Sequence, residues 1–142
     1  MTVKITGLQF DEIVPEIQDA LDTALGETLF EQQGALNKHT PVDTARMASS
    51  WQIGHNARPT PADRGEGWNG GVQRWEYTGA ITFDGSWFIS NAVPYAQAVC
   101  LLGSYPPSWG GKAPGGIPTG WFTTIANQTG NVFIKQFDKV KP

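Results

Sequence analysis

With 142 residues, 39% hydrophobic and only 16% charged, the chain suits one domain spanning residues 1–142 that buries roughly two-thirds of its unfolded surface, and it is neither a coiled coil nor a charge-rich disordered segment. Ten basic against 13 acidic residues leave a net charge of −3, which excludes a protein that grips phosphates through a basic face. A lone cysteine, Cys100, excludes an internal disulfide, and neither a signal-peptide core nor an apolar run long enough to cross a bilayer occurs, so synthesis in a reducing cytoplasm is expected.

From Asp11 to about Asn37, Ile13, Ile17, Leu21, Leu25 and Leu29 recur at every fourth position, with Ala20 and Ala24 beside them. This spacing predicts a long amphipathic helix, with Pro15 tolerated in its first turn and Thr40-Pro41 ending it. Asp43 or Thr44 is expected to cap a short helix through Ser50, because either side chain offers an oxygen to unpaired backbone N–H groups. Trp51, Gln52 and Ile53 read as extended. Residues 57–79 hold Pro59, Pro61, Gly65, Gly67, Gly70 and Gly71 with little periodicity and predict a long exposed loop, in which Trp68 and Trp75 are out of place.

Ile81-Thr82-Phe83 and Trp87-Phe88-Ile89 flank Asp84-Gly85-Ser86 and predict a hairpin. Val93 to Leu102 suits a short helix that starts after Pro94 and stops at Gly103, before a second Gly/Pro loop over 103–120 that carries Tyr105 and Trp109. After Thr119, Phe122, Ile125, Ala126, Phe133, Phe137 and Val140 follow helical spacing, with Gly130 expected to bend the segment. The sum is an α+β domain: a long N-terminal helix and a closing helix packed on a small, mainly antiparallel sheet, with long Gly/Pro-rich loops.

Candidate chemistry is thin. His39 and His55 lack metal-ligand spacing and read as surface or packing residues. A triad of Asp43, His39 and Ser49 or Ser50 is conceivable, but capping explains Asp43 more simply. Gly110-Gly111-Lys112 lacks the strand, glycine spacing and following Ser or Thr of a phosphate loop. Cys100 lies in an apolar run, where a thiol acts as a small core group. Asp11, Glu12, Glu16 and Asp19 read as a solvated helix face near its positive end. The residues therefore predict no enzyme, no cofactor and no metal.

Thr40-Pro41-Val42-Asp43-Thr44-Ala45-Arg46-Met47-Ala48-Ser49-Ser50-Trp51, followed by Asn91-Ala92-Val93-Pro94-Tyr95-Ala96, resembles the tail-completion, or head–tail joining, proteins of long-tailed bacteriophages. Those proteins carry a long first helix, a Pro-Val-Asp-Thr-Gly segment leading into Leu-Arg-Ser, and a Pro-Tyr-Ala segment after a strand. Ala113-Pro114-Gly115-Gly116 and the helix from Trp121 are similar to the family's Gly/Pro loop and closing helix, whereas Ala45 and Met47 replace its usual Gly and Leu. The resemblance implies a structural virion protein of the neck, made in the host cytoplasm. It would assemble with itself into a ring, commonly a hexamer, between tail tube or tail terminator proteins and head-side connector proteins. DNA would pass through the lumen without sequence-specific binding, and no membrane is involved. A tail terminator or another neck ring is the neighbouring alternative, and a small enzyme on the same scaffold the remote one. Within this reading Pro41, Asp43, Thr44, Pro94 and Tyr95 are scaffold residues, and Trp68, Trp75, Tyr105 and Trp109 are expected to be anchors buried on assembly.

Overall fold

The computed structural model describes residues 1–6, 15–42, 45–109 and 120–142. Three strands, β1 (Thr2–Thr6), β2 (Gln52–His55) and β3 (Ser86–Ser90), form one antiparallel sheet in the order β1-β3-β2. Helices α1 (Pro15–His39), α2 (Trp121–Asn127) and α3 (Thr129–Val140) complete the α+β architecture expected from the sequence. The central strand sets the register: Val3 and Ile53 both lie opposite Ile89, and Ile5 and His55 both lie opposite Trp87. Because side chains alternate along a strand, Val3, Ile53, Trp87 and Ile89 share one face, and all four are buried.

That face belongs to a core that includes Leu25, Leu29 and Leu36 of α1, Met47, Trp51, and Trp121 and Phe122 of α2. Trp51 and Trp87 are fully enclosed, and Trp51 stacks on Phe122 with ring centroids 5.8 Å apart. Burying an indole removes some 200 Å² from water and is worth about 5 kcal/mol. On the opposite face the chain after β2 folds back so closely that a Cβ at Gly54 would lie 2.6 Å from Pro59 Cδ.

The inward stripe of α1 differs from the every-fourth-residue series. Four residues turn the helix by about 400°, so such a series drifts about 40° per step. Ile17 is accordingly 39% exposed, and the buried stripe runs through Ala20, Ala24, Leu25, Thr28, Leu29, Gln32, Gln33, Leu36 and Asn37. Gln32 Nε2 donates to the Ile125 carbonyl and to Thr129 Oγ1, and Lys135 and Gln136 both reach Glu31, which fixes α3 alongside α1. The closing segment is divided at Gln128, two residues before the glycine expected to bend it.

Two expected elements are corrected. Ile81–Phe83 does not pair with Trp87–Ile89; β3 is flanked instead by β1, unforeseen from the sequence, and by β2. The partners of 81–83 are used elsewhere. The Phe83 amide donates to Asp22 Oδ1, the Phe83 ring stacks on Phe133, Ile81 covers Gly26, and the Thr82 carbonyl accepts both the Asp84 amide and Trp87 Nε1. Residues 45–49 form a hydrogen-bonded turn and not a helix, with Ser49 N donating to Ala45 O and Ser50 N to Met47 O. Ala45 has a φ of 66°, the left-handed region that interrupts a right-handed helix. The segment after Pro94 is helical as expected, but it ends in a π turn, Ala98–Leu102, closed by Gly103 at a φ of 60°.

Candidate functional site

The two segments that carry the family resemblance meet in space. Asn91, 2% exposed, donates through Nδ2 to the Met47 carbonyl at 2.8 Å, while its Oδ1 accepts the Val93 amide. The first segment is also tied to α1, Asn37 Nδ2 donating to Ala48 O and Gln33 Nε2 to Trp51 O, and its two ends are joined by Trp51 Nε1 donating to Thr40 Oγ1. Pro41 is buried at the helix exit and Pro94 is exposed at the start of its turn. Asp43 and Thr44, expected as caps, and Ala113–Gly116 lie outside the described residues.

The loop aromatics expected to wait for a partner already have intrachain ones. The Arg64 guanidinium lies over both the Trp68 and Trp75 rings, its Cζ 4.8 Å and 4.2 Å from the two ring centroids. Arg64 Nε donates to the Ser49 carbonyl and its amide to Ser50 Oγ, so this clamp fastens the 57–79 loop to the first motif segment. Tyr105 stacks on Trp109, which meets Tyr95 edge-on at 5.7 Å. All four aromatics are half-buried, so part of each remains open to solvent.

Beside this second cluster lies a cleft of about 310 Å³, lined among the described residues by Arg46, Glu66, Gly67, Tyr95, Pro106, Ser108 and Trp109. Arg46 grips Asp63 through two parallel bonds, Nε to Oδ1 at 2.9 Å and Nη2 to Oδ2 at 2.8 Å. The hydrogen bonds to Arg46 hold the Asp63 carboxyl below the usual aspartate range, and the same bonds raise Arg46 further. Sequence reasoning missed Arg46, Arg64 and Glu66. The available signal was a run of charge and tryptophan among glycines, Arg64-Gly65-Glu66-Gly67-Trp68, too polar to be core and too aromatic to be a bare linker.

No catalytic set assembles from the nucleophiles and bases considered. Ser49 and Ser50 are fully buried, their hydroxyls donating to the Gly71 and Arg46 carbonyls, whereas His39 is exposed. His55 stacks on Trp87 at 4.0 Å and lies 3.3 Å from Asp84 Oδ1, which is a packing role. Cys100 is 4% exposed, and burial pushes its thiol up to about 12, away from the reactive thiolate. Among the described residues no group of three His, Cys, Asp or Glu side chains could hold a metal ion, and no helix is long and apolar enough to cross a membrane. Comparison with protein-family models, with curated proteins and with solved structures returned no match.

Proposed function

We propose that this chain is a structural subunit of the bacteriophage neck, a tail-completion or head–tail connector protein that works by shape and self-association. In this reading copies form a ring, commonly a hexamer, at the head-proximal end of the tail, between tail tube or terminator proteins and head-side connector proteins, with DNA passing through the lumen.

The observation that carries the reading is the junction of the two resembling segments: Asn91 bonded to Met47, and Tyr95 with its ring 5.9 Å from the Arg46 guanidinium. Ala45 adds support, since its φ of 66° lies in the region that glycine, the usual residue of the resembling family at this position, tolerates without strain.

Particles assembled without this chain should accumulate DNA-filled heads and finished tails that remain unjoined, and purified protein added to the mixture should join them. An image reconstruction of the intact virion should show a closed ring of the chain at that level. Normal joining in its absence would overturn the proposal.

A further inference from the structure

The register of the sheet leaves one of its edges open. Met1 and Asn91 exchange two backbone bonds, Met1 N to Asn91 O at 2.6 Å and Asn91 N to Met1 O at 2.8 Å, so they form a hydrogen-bonded pair of the antiparallel ladder. Such pairs alternate along two strands. Val3 and Ile5 therefore turn their backbone groups toward β3, and Thr2 and Lys4 turn theirs away from it. No other strand pairs with β1, and among the described residues no donor or acceptor meets the outward N–H and C=O groups of Thr2 and Lys4. The far edge of the sheet is different. The Asn56 amide bonded to the Ser86 carbonyl fixes the ladder of β2 so that Ile53 faces outward, and Ile53 is only 3% exposed, so that edge is covered.

From this geometry we infer that β1 is a docking edge for an extended segment of a partner protein, which joins the sheet as a fourth strand and alternates apolar with acidic residues. The backbone sets the shape: N–H and C=O groups that recur at every second residue are met together by another strand. The side chains set the alternation. On the inner face Val3 and Ile5 continue the core, and Ile5 is only half-buried, so apolar residues in line with them complete its cover. On the outer face Lys4 is exposed, with its Nζ 5.8 Å from the Phe88 ring centroid and no carboxylate in ion-pairing range among the described residues. A ring face occupies none of the ammonium's donors in a conventional hydrogen bond, so a carboxylate opposite Lys4 adds a partner without displacing one.

A second copy fits this edge less well. Pairing β1 with β1 of another molecule about a two-fold axis, in the register that uses the whole of Thr2–Thr6, sets Lys4 against Lys4, and like charges directly opposite one another destabilise a strand pair. A lysine in the middle of an edge strand thus guards against self-pairing while it admits an acidic strand.

The test is NMR titration and amide hydrogen exchange of the full-length protein with the capped peptide Thr-Val-Glu-Val-Glu-Val-Thr, its counterpart with lysine in place of both glutamates, and the β1 sequence Thr-Val-Lys-Ile-Thr. In the free protein the Lys4 amide should exchange fast while the Val3 and Ile5 amides, bonded to β3, exchange slowly. The glutamate peptide should bind saturably, slow the Lys4 amide, and bind about tenfold tighter than the lysine peptide, the ratio expected when a like charge replaces an opposite one across a strand pair. N-methylation of its two glutamates should abolish binding, because the residue opposite Lys4 must direct its own N–H toward β1. Lys4→Glu, at an exposed side chain, should reverse the order of the glutamate and lysine peptides. A Lys4 amide already slow in the free protein, no saturable binding, equal binding of the two peptides, or unchanged binding after N-methylation would each overturn the inference. So would tightest binding of the β1 peptide, which would make the occupant a second copy.

Discussion

Arg64→Ala should unfasten the 57–79 loop, and its cost can be built from three contacts. Each cation–π contact at a partly covered site is worth about 0.5–1 kcal/mol, which gives about 1–2 kcal/mol for Trp68 and Trp75 together. The Nε bond to the Ser49 carbonyl is a charged hydrogen bond worth about 1.5–3 kcal/mol, and Ser49 is fully buried, so its carbonyl is left without that donor. Part of the sum returns as the freed loop becomes solvated, so the expected loss is about 3 kcal/mol. Urea unfolding followed by tryptophan emission measures it directly, and the native spectrum should also shift as Trp68 and Trp75 lose their cover. Arg64→Lys keeps the charge but loses the planar stack and the Nε donor, so it should recover less than half of the loss. A loss below about 0.5 kcal/mol, or full rescue by lysine, would refute the clamp and return these tryptophans to the role of anchors waiting for assembly.

Asn91→Ala should cost about 2–4 kcal/mol by thermal unfolding, because it orphans the Met47 carbonyl and the Val93 amide in the interior where the two resembling segments join. Asp63, held below the ordinary aspartate range by the hydrogen bonds from Arg46, contributes stability that is complete above about pH 4 and is lost as pH falls through its lower folded value; Asp63→Asn should flatten this acid limb in stability measurements from pH 5 to pH 2. Cys100, with its thiol raised to about 12 by burial, should resist maleimide at pH 7 in the native protein and react rapidly once urea unfolds it.

Local chemistry was legible in the sequence, whereas long-range pairing was not. The long helix, its stop before Pro41 and the turn at Gly103 follow from spacing, proline and glycine, each of which acts within a few residues. The sheet order does not. Thr2–Thr6 carries the alternation and β-branched residues of a strand, yet its partners lie 80 to 88 residues away, and the segment 81–83, next to Trp87–Ile89, offered equal strand propensity beside a turn sequence. What removed 81–83 from the sheet was Asp22, Gly26 and Phe133, contacts that no local pattern encodes.

The same division separates the aromatic loop residues from their partners. Trp68, Trp75, Tyr105 and Trp109 stand out in the sequence because large apolar groups among glycines and prolines need cover from somewhere, but composition cannot say whether that cover comes from the chain itself or from a neighbour. The structure divides the answer. Arg64 supplies cover for the first pair from within the loop, and Trp109, stacked by Tyr105, meets Tyr95 at the wall of a cleft. An arginine placed four residues before Trp68 completes its cluster inside the loop, whereas Trp109 meets Tyr95, whose ring faces an arginine from the first resembling segment, Arg46. The two clusters thus use the same chemistry in different settings: Arg64 belongs to the loop whose tryptophans it meets, whereas Arg46, whose guanidinium lies 5.9 Å from the Tyr95 ring, belongs to the first resembling segment.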